Sequence, residues 1–381
     1  MSLLNSYRLF IPILFSISAA ILLSPSIHPK QSNAAVSGST NVMVYPTYGY
    51  LDGDEWVVPM RVLVFDTRSS VERVVTRLAA SRYSLNDRER QNFRNRLRYI
   101  VADSDSRQRP VFVFEGDPDE TEYRVLDEDG SAPRSDLNGL IKGTMRIPAD
   151  KADMLLENNR SDDGWLTIRS VSRNLRGTGR IQLIEPEGLS VISDIDDTIK
   201  ITEIPAGGRI VVQNTFFNDY TASPGMNELY EQWNDATFHY VSGAPWQLFQ
   251  SLNNFLVRNV GFPEGTFHMK NVRKNLFNVA SWRDLRQLAT NELVTFDQKI
   301  DQITELFETF PGREFILVGD SGEMDPEIYS EIRERFPGQV QDIFIRDVVN
   351  DRENNPERLE GMRIIRARAI EPGVTQFSGS R

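Results

Sequence analysis

An apolar run, Leu189-Ser190-Val191-Ile192-Ser193, ends abruptly in Asp194-Ile195-Asp196-Asp197-Thr198. The run has the length and character of a short buried strand. Carboxylates crowded at its end oppose burial. Like charges about 4 Å apart repel by roughly 1 kcal/mol in water and about 4 kcal/mol at an effective dielectric near 20. A fold that keeps them there must offer a cation or a reacting group in compensation. The D-x-D-x-T spacing points to phosphoryl chemistry assisted by a divalent metal. Residues two apart at a strand end point to one side, so Asp194 and Asp196 can face one phosphoryl group.

Two more apolar runs end in polar residues. Phe238-His239-Tyr240-Val241 reaches Ser242-Gly243, and Phe315-Ile316-Leu317-Val318 reaches Gly319-Asp320-Ser321-Gly322 and then Asp325. From about residue 188 to 369 such runs alternate with helical patterns, which argues for a parallel sheet covered on both faces. Expected helices are 245–260, with Phe249, Leu252 and Leu256 inward, 297–310, with Ile300, Ile303 and Leu306 inward, and 326–336. The last two stop at Phe310-Pro311-Gly312 and Phe336-Pro337-Gly338. Lys299 falls in the first turn of the helix expected from Asp297. Ligands of open parallel sheets sit beyond the carboxyl ends of the strands, so the three polar ends should meet.

This order of motifs resembles the haloacid dehalogenase-like (HAD-like) phosphatase superfamily. More narrowly, Ser193 to Lys200, Val241 to Trp246, and Gly319 to Gly322 with Asp325 to Tyr329 are similar to the catalytic domain of the actin-patch type of phosphatidate phosphatase, a relative of the lipins. The similarity covers roughly residues 188–350. It implies a Rossmann-like α/β fold with Asp194 as a nucleophile that forms an aspartyl-phosphate. A carboxylate with an ordinary pKa near 4 is already ionised at neutral pH and needs no separate base. Asp196 becomes the general acid for the leaving alkoxide and then the base for water. Asp194, the backbone carbonyl of Asp196, and Asp320 hold Mg2+, with Asp325 orienting the metal shell. Ser242, Gly243 and Thr198 serve the phosphate site, and Lys299 neutralises charge that builds up during transfer. Each has a plainer reading. Asp325 before Pro326 reads as a helix N-cap, Lys299 as a surface lysine, Asp197 as solvated or capping, and Thr198 as a loop-fixing hydroxyl.

The implied reaction is Mg-dependent hydrolysis of a phosphomonoester, with phosphatidate preferred, giving diacylglycerol and phosphate. The alternatives are a non-enzymatic phosphatidate-binding module and a phosphatase of soluble esters. Gly319-Asp320-Ser321-Gly322 imitates a serine-protease signature, but Glu323 replaces its second glycine. No large cap insertion is evident after Thr198. Relatives carry Leu-Arg-Asp where this chain has Met269-Lys270-Asn271, and a basic stretch continues over 270–277 to Trp282 and Arg283. It reads either as a seat for an anionic headgroup or as a solvated loop.

At 381 residues the chain is long enough for two domains. Residues 36–187 read as a β-rich domain with strands near 41–46, 57–65, 110–114, 143–147, 165–170 and 179–183. A helical insertion spans 69–102 and carries Arg88, Arg90, Arg94, Arg96 and Arg98. Those arginines read as a solvated face, or else as an attraction to anionic lipid. The catalytic domain follows over 188–369, with a loose tail at 370–381. A net charge of -11 and a pI near 5.0 argue against general nucleic-acid binding. There are no cysteines, which removes disulfides and thiolate chemistry. His28, His239 and His268 make no metal cluster. Residues 1–34 read as a signal peptide, with Arg8 before a short apolar core and Ser32 and Ala34 suiting cleavage. The expected location is periplasmic or extracellular, and an uncleaved membrane anchor is the alternative. The expected partner is an anionic phosphate ester, a phospholipid at a membrane surface; partners of the first domain stay open.

Overall fold

The computed structural model describes residues 40–67, 69–100, 102–271 and 292–366. The segment read as an export signal, most of the basic stretch and the tail lie outside the described residues. No described helix is long and apolar enough to cross a membrane.

The first sheet takes in β1 (Thr40–Val44), β2 (Thr47–Asp52), β3 (Glu55–Asp66), β4 (Asp103–Ser104), β5 (Phe112–Phe114), β6 (Leu140–Pro148), β7 (Trp165–Ser170), β8 (Leu175–Arg176) and β9 (Thr178–Leu183). The helices α1 (Ser69–Tyr83), α2 (Asp87–Leu97) and α3 (Ala149–Asn159) interrupt it. β3 organises the layer. Its length lets it pair with β6 along one edge and with both β2 and β1 along the other. Gly53 and Asp54 form the two-residue link between β2 and β3, where Gly53 adopts φ +66°. Val58, Val62, Met145, Ile147, Leu166 and Ile181 fill the core of this region. β2 and α3 carry no strong sequence signal and were not anticipated.

The expected helix over 69–102 is two helices. The chain breaks at Ser84, with φ +54°, and restarts at Asn86. There the Asn86 side chain accepts from the Glu89 N–H while the Glu89 carboxylate accepts from the Asn86 N–H.

The second sheet has β10 (Glu187–Ser193), β11 (Thr237–Pro245), β12 (Thr266–Lys270), β13 (Gly312–Asp320), β14 (Val340–Asp347) and β15 (Arg363–Arg366). All neighbours are parallel, in the order β12-β11-β10-β13-β14-β15. Counted within the sheet this is 3-2-1-4-5-6, the doubly wound order whose switch point lies beside the first strand. Successive residues of β10 face opposite layers. Val191 joins the core that holds Phe249, Leu252 and Leu256, whereas Ile192 joins the core of Ile300, Ile303 and Leu306. Burial on both faces explains why these strands read as unbroken apolar runs. The described part of helix α4 runs Glu292–Thr309, and α5 runs Asp325–Arg335. Lys299 is thus about two turns into its helix, not in the first turn.

Arg313, at the start of β13, fastens the amino ends of the strands. Its guanidinium donates to the carbonyls of Glu185 at 2.8 Å, Glu187 at 2.6 Å and Leu189 at 2.6 Å, and to the Ser190 hydroxyl at 2.8 Å. The chain crosses between the two sheets at this point.

Candidate active site

Asp194 leaves β10 while still in the ladder, its N–H donating to the Val318 carbonyl at 2.9 Å. Its carboxylate is therefore held beside the end of β13, where Asp320 emerges. Lys299 reaches across from α4 and is buried. Its ammonium donates to Asp194 Oδ1 at 2.9 Å and Asp325 Oδ1 at 2.7 Å, with Glu323 Oε2 at 3.5 Å. Among the described residues Asp194 Oδ2, also buried, has no hydrogen-bond partner.

Asp325 does not cap α5. Met324 occupies the N-cap position with no side-chain bond. The two Asp325 oxygens instead engage Lys299 and the Asp320 N–H, the latter at 3.2 Å. Gly319 makes room for this arrangement, since a Cβ there would lie 2.5 Å from Asp325 Oδ2. Asp194, Asp320 and Glu323 offer oxygens within 4.8 Å of one another. Arg358 fixes the turn that presents Glu323 by donating to the carbonyls of Ser321 at 3.0 Å and Glu323 at 2.9 Å.

Asp196 is held by a different set of partners. Its Oδ1 accepts from Lys200 Nζ at 2.8 Å and from the Thr202 hydroxyl at 2.5 Å, while its Oδ2 lies 3.5 Å from Ser242 Oγ. The Ser242 hydroxyl accepts the Ala244 N–H at 3.0 Å. A Cβ on Gly243 would meet Thr295 Cγ2 at 3.1 Å, and Thr295 bonds Lys270 at 2.9 Å, so the end of β12 adds a cation here. Thr198 donates to Asp320 Oδ2 at 3.4 Å, as a loop-fixing hydroxyl should. Asp197 is buried rather than solvated. It adopts φ +58° and accepts the N–H groups of Thr202, Glu203 and Ile204 at 2.8, 2.7 and 2.6 Å. The Arg346 guanidinium donates to its carbonyl at 2.5 Å.

All of Asp194, Asp196, Thr198, Ser242, Gly243, Lys299, Asp320 and Asp325 thus gather at the carboxyl ends of β10, β11 and β13. Glu323, Lys200 and Thr202 were not foreseen. Three residues beyond Asp320 in the same turn, Glu323 was the one with a usable signal. His239 and His268 are remote from this cluster and share the Thr266 hydroxyl, at 2.7 and 3.1 Å. Burial pushes both imidazoles down, His268 to about 4, so they are neutral at pH 7.

Charge is out of balance in the cluster. Burial first, then Asp325 and Glu323, drives Asp194 and Asp320 well above the carboxylate range, although Lys299 opposes this. Burial likewise lifts Glu323 to about 7. Burial works against the Lys299 charge, but Asp194, Asp325 and Glu323 outweigh it and hold the ammonium protonated. Asp196 moves the other way. Burial would raise it, yet the Lys200 charge and the Lys200 and Thr202 hydrogen bonds bring it below the usual value. Hard oxygens, an unpartnered buried carboxylate oxygen and surplus negative charge suit a hard divalent cation.

Residues 189–347 match the family model described as phosphatidate phosphatase APP1, catalytic domain. Phosphatidate phosphatase APP1 of Saccharomyces cerevisiae is 34% identical over 182 residues, 46% of this chain and 29% of that protein. An uncharacterised protein of Schizosaccharomyces pombe is 32% identical over 179 residues, 45% of this chain and 27% of that one. The chain therefore spans less than a third of the length of these curated relatives. A solved structure described by the active site of a carbohydrate esterase aligns over 80% of this chain and 88% of its own, at 9% identity and a TM-score of 0.20. The stretch from β10 to β14, which holds the whole charged cluster, belongs to the phosphatidate phosphatase APP1 catalytic-domain family.

Proposed function

We propose that this protein is a HAD-like, Mg2+-dependent phosphatase that cleaves phosphatidate to diacylglycerol and phosphate through an aspartyl-phosphate. The observation that carries the reading is the buried Lys299 bonded to Asp194 within an excess of carboxylates from β10 and β13, inside the family-matched stretch.

Asp194 attacks phosphorus. Lys299 fixes its carboxylate through Oδ1 and offsets charge as the phosphoryl group arrives. The bond from phosphorus to the ester oxygen breaks, and Asp196, which takes up a proton as the negative phosphate arrives and offsets the Lys200 charge, gives that proton to the departing alkoxide. Ionised Asp196 then takes a proton from water, the water oxygen bonds phosphorus, and the acyl-phosphate bond breaks to restore Asp194. Ser242 donates to a phosphoryl oxygen once that group displaces the weak contact with Asp196. Asp194, the Asp196 carbonyl, Asp320 and Glu323 would hold Mg2+, which supplies neutralisation of the phosphate and of the carboxylates around it. Asp325 acts from behind, through Lys299 and the Asp320 backbone.

The test is phosphate release by the purified protein with Mg2+, measured on phosphatidate vesicles and on a panel of soluble phosphate esters. Diacylglycerol and phosphate should appear in equal amounts from the vesicles. Turnover of soluble esters alone would reject the lipid assignment, and vesicle binding without release from any ester would replace the enzyme with a binding module.

A further inference from the structure

The first region reaches the acid/base carboxylate. Helix α2 lies against the segment that follows the D-x-D-x-T loop, with Phe93 edge-on to Phe216 and Phe217. Asn92 donates to the Phe217 carbonyl at 2.9 Å, and Arg88 pairs with Asp219. Arg96, expected on a solvated face, is buried here. Its guanidinium lies 3.7 Å from the centre of the Tyr220 ring and donates to the Thr215 carbonyl at 3.1 Å. The Tyr220 hydroxyl donates to that same carbonyl at 3.2 Å. Lys200 is the second cation against this ring, with Nζ 4.9 Å from its centre. Backbone pairing fixes their separation, because Ile201 N–H donates to the Thr221 carbonyl and Ser223 N–H to the Ile199 carbonyl, both at 2.9 Å. The ammonium is thereby confined to a position from which it reaches Asp196 Oδ1.

We propose that Lys200 and Tyr220 are positioning residues for Asp196, and that Arg96 of the inserted helix holds them, so the first region helps to set leaving-group protonation. The inference rests on the phosphatase reading. Lys200 and Thr202 both occupy Oδ1, which leaves Oδ2, the oxygen beside Ser242, to carry the transferred proton. The buried ammonium has the ring, Asp196 and the Thr202 hydroxyl at 2.5 Å as its partners. The guanidinium on the ring and the shared Thr215 carbonyl keep the ring from tilting away.

A purely structural role would lower stability and slow all substrates alike. A positioning role for the acid slows an alkyl phosphate far more than a nitrophenyl phosphate, whose leaving group needs little protonation. Lys200→Met should cut kcat on glycerol phosphate about 100-fold and on nitrophenyl phosphate less than about threefold. Arg96→Leu and Tyr220→Leu should shift the ratio of the two rates the same way by roughly three- to tenfold, with Arg96→Lys restoring most of it. Thermal melts run alongside, and the Arg96 pair carries the test if Lys200→Met does not fold. Equal losses on both esters, or a lower melting temperature with an unchanged ratio in Arg96→Leu, would overturn the proposal. Wild-type protein inert on both esters and on phosphatidate would remove the phosphatase reading instead.

Discussion

The two ends of strands β10 and β13 treat a buried basic side chain in opposite ways. At the amino ends Arg313 meets backbone carbonyls and hydroxyls, neutral acceptors that match its donors in number and direction. At the carboxyl ends Lys299 meets three carboxylates, and Asp320 stands beside them. The first cation completes a fastening. The second leaves a deficit of positive charge, which adds to burial in raising the carboxylate pKa values. Burial of charge is thus no guide to purpose until the partners are weighed.

The sharpest way to break this contrast is at Asp194. Asp194→Asn should lower turnover by more than about 10⁴-fold, or upwards of roughly 5 kcal/mol of barrier, while the protein stays folded. Rapid-quench kinetics with peptide mapping checks it, since the amide should trap no covalent phosphate. Turnover surviving in that variant would discard the nucleophile. Arg313→Leu should do the reverse. It removes several hydrogen bonds from a charged donor, each worth about 1.5–3 kcal/mol, so unfolding in denaturant should become easier by roughly 3–5 kcal/mol. Activity per folded molecule should stay within about twofold.

The smallest expected effect concerns ions and pH. A divalent cation at a hundredfold excess over its Kd should raise stability by about 2.7 kcal/mol. In chelator the sign follows chiefly from the buried carboxylates, among them Glu323, whose folded pKa of about 7 exceeds its ordinary value of 4.5. Between those values Glu323, with Asp194 and Asp320, binds more protons folded than unfolded, and these three outnumber the buried His239 and His268, which act in the opposite sense, so stability falls as pH rises from about 4.5 to 7. Added Mg2+ should abolish that fall, and melts across the range read it directly. A metal-free protein that grows more stable over the same window would contradict the charge assignment.

Much of the second sheet was readable because its strands are buried on both faces and end in charge. The apolar runs before Asp194, Ser242 and Asp320 announce both the strand and its termination. Glu323 was passed over for the opposite reason, because an acidic residue in a turn looks solvated until the fold encloses it, and only its closeness to Asp320 in sequence hints otherwise. The N-cap reading of Asp325 failed because Lys299, 26 residues away in sequence, competes for its carboxylate more strongly than a local backbone amide does. Arg96 failed likewise. Its helix carries so many charges that no periodicity marks the face against Phe217, and the partner Tyr220 lies in a different region of the chain. Local chemistry sets strands and turns, whereas contacts between distant segments decide which charges are enclosed.

Asp197 bears on how little the catalytic loop has to move. With a left-handed backbone and three amides gathered on its carboxylate, the loop from Asp194 to Ile204 is tied in a knot of its own making. Arg346 pins the same residue from β14. Under the proposed phosphatase reaction such a loop would meet an incoming phosphoryl group with its dipoles already pointed, so that the reorganisation water would need is completed when the chain folds. The carboxylate left out of the chemistry is the one that keeps its neighbours still.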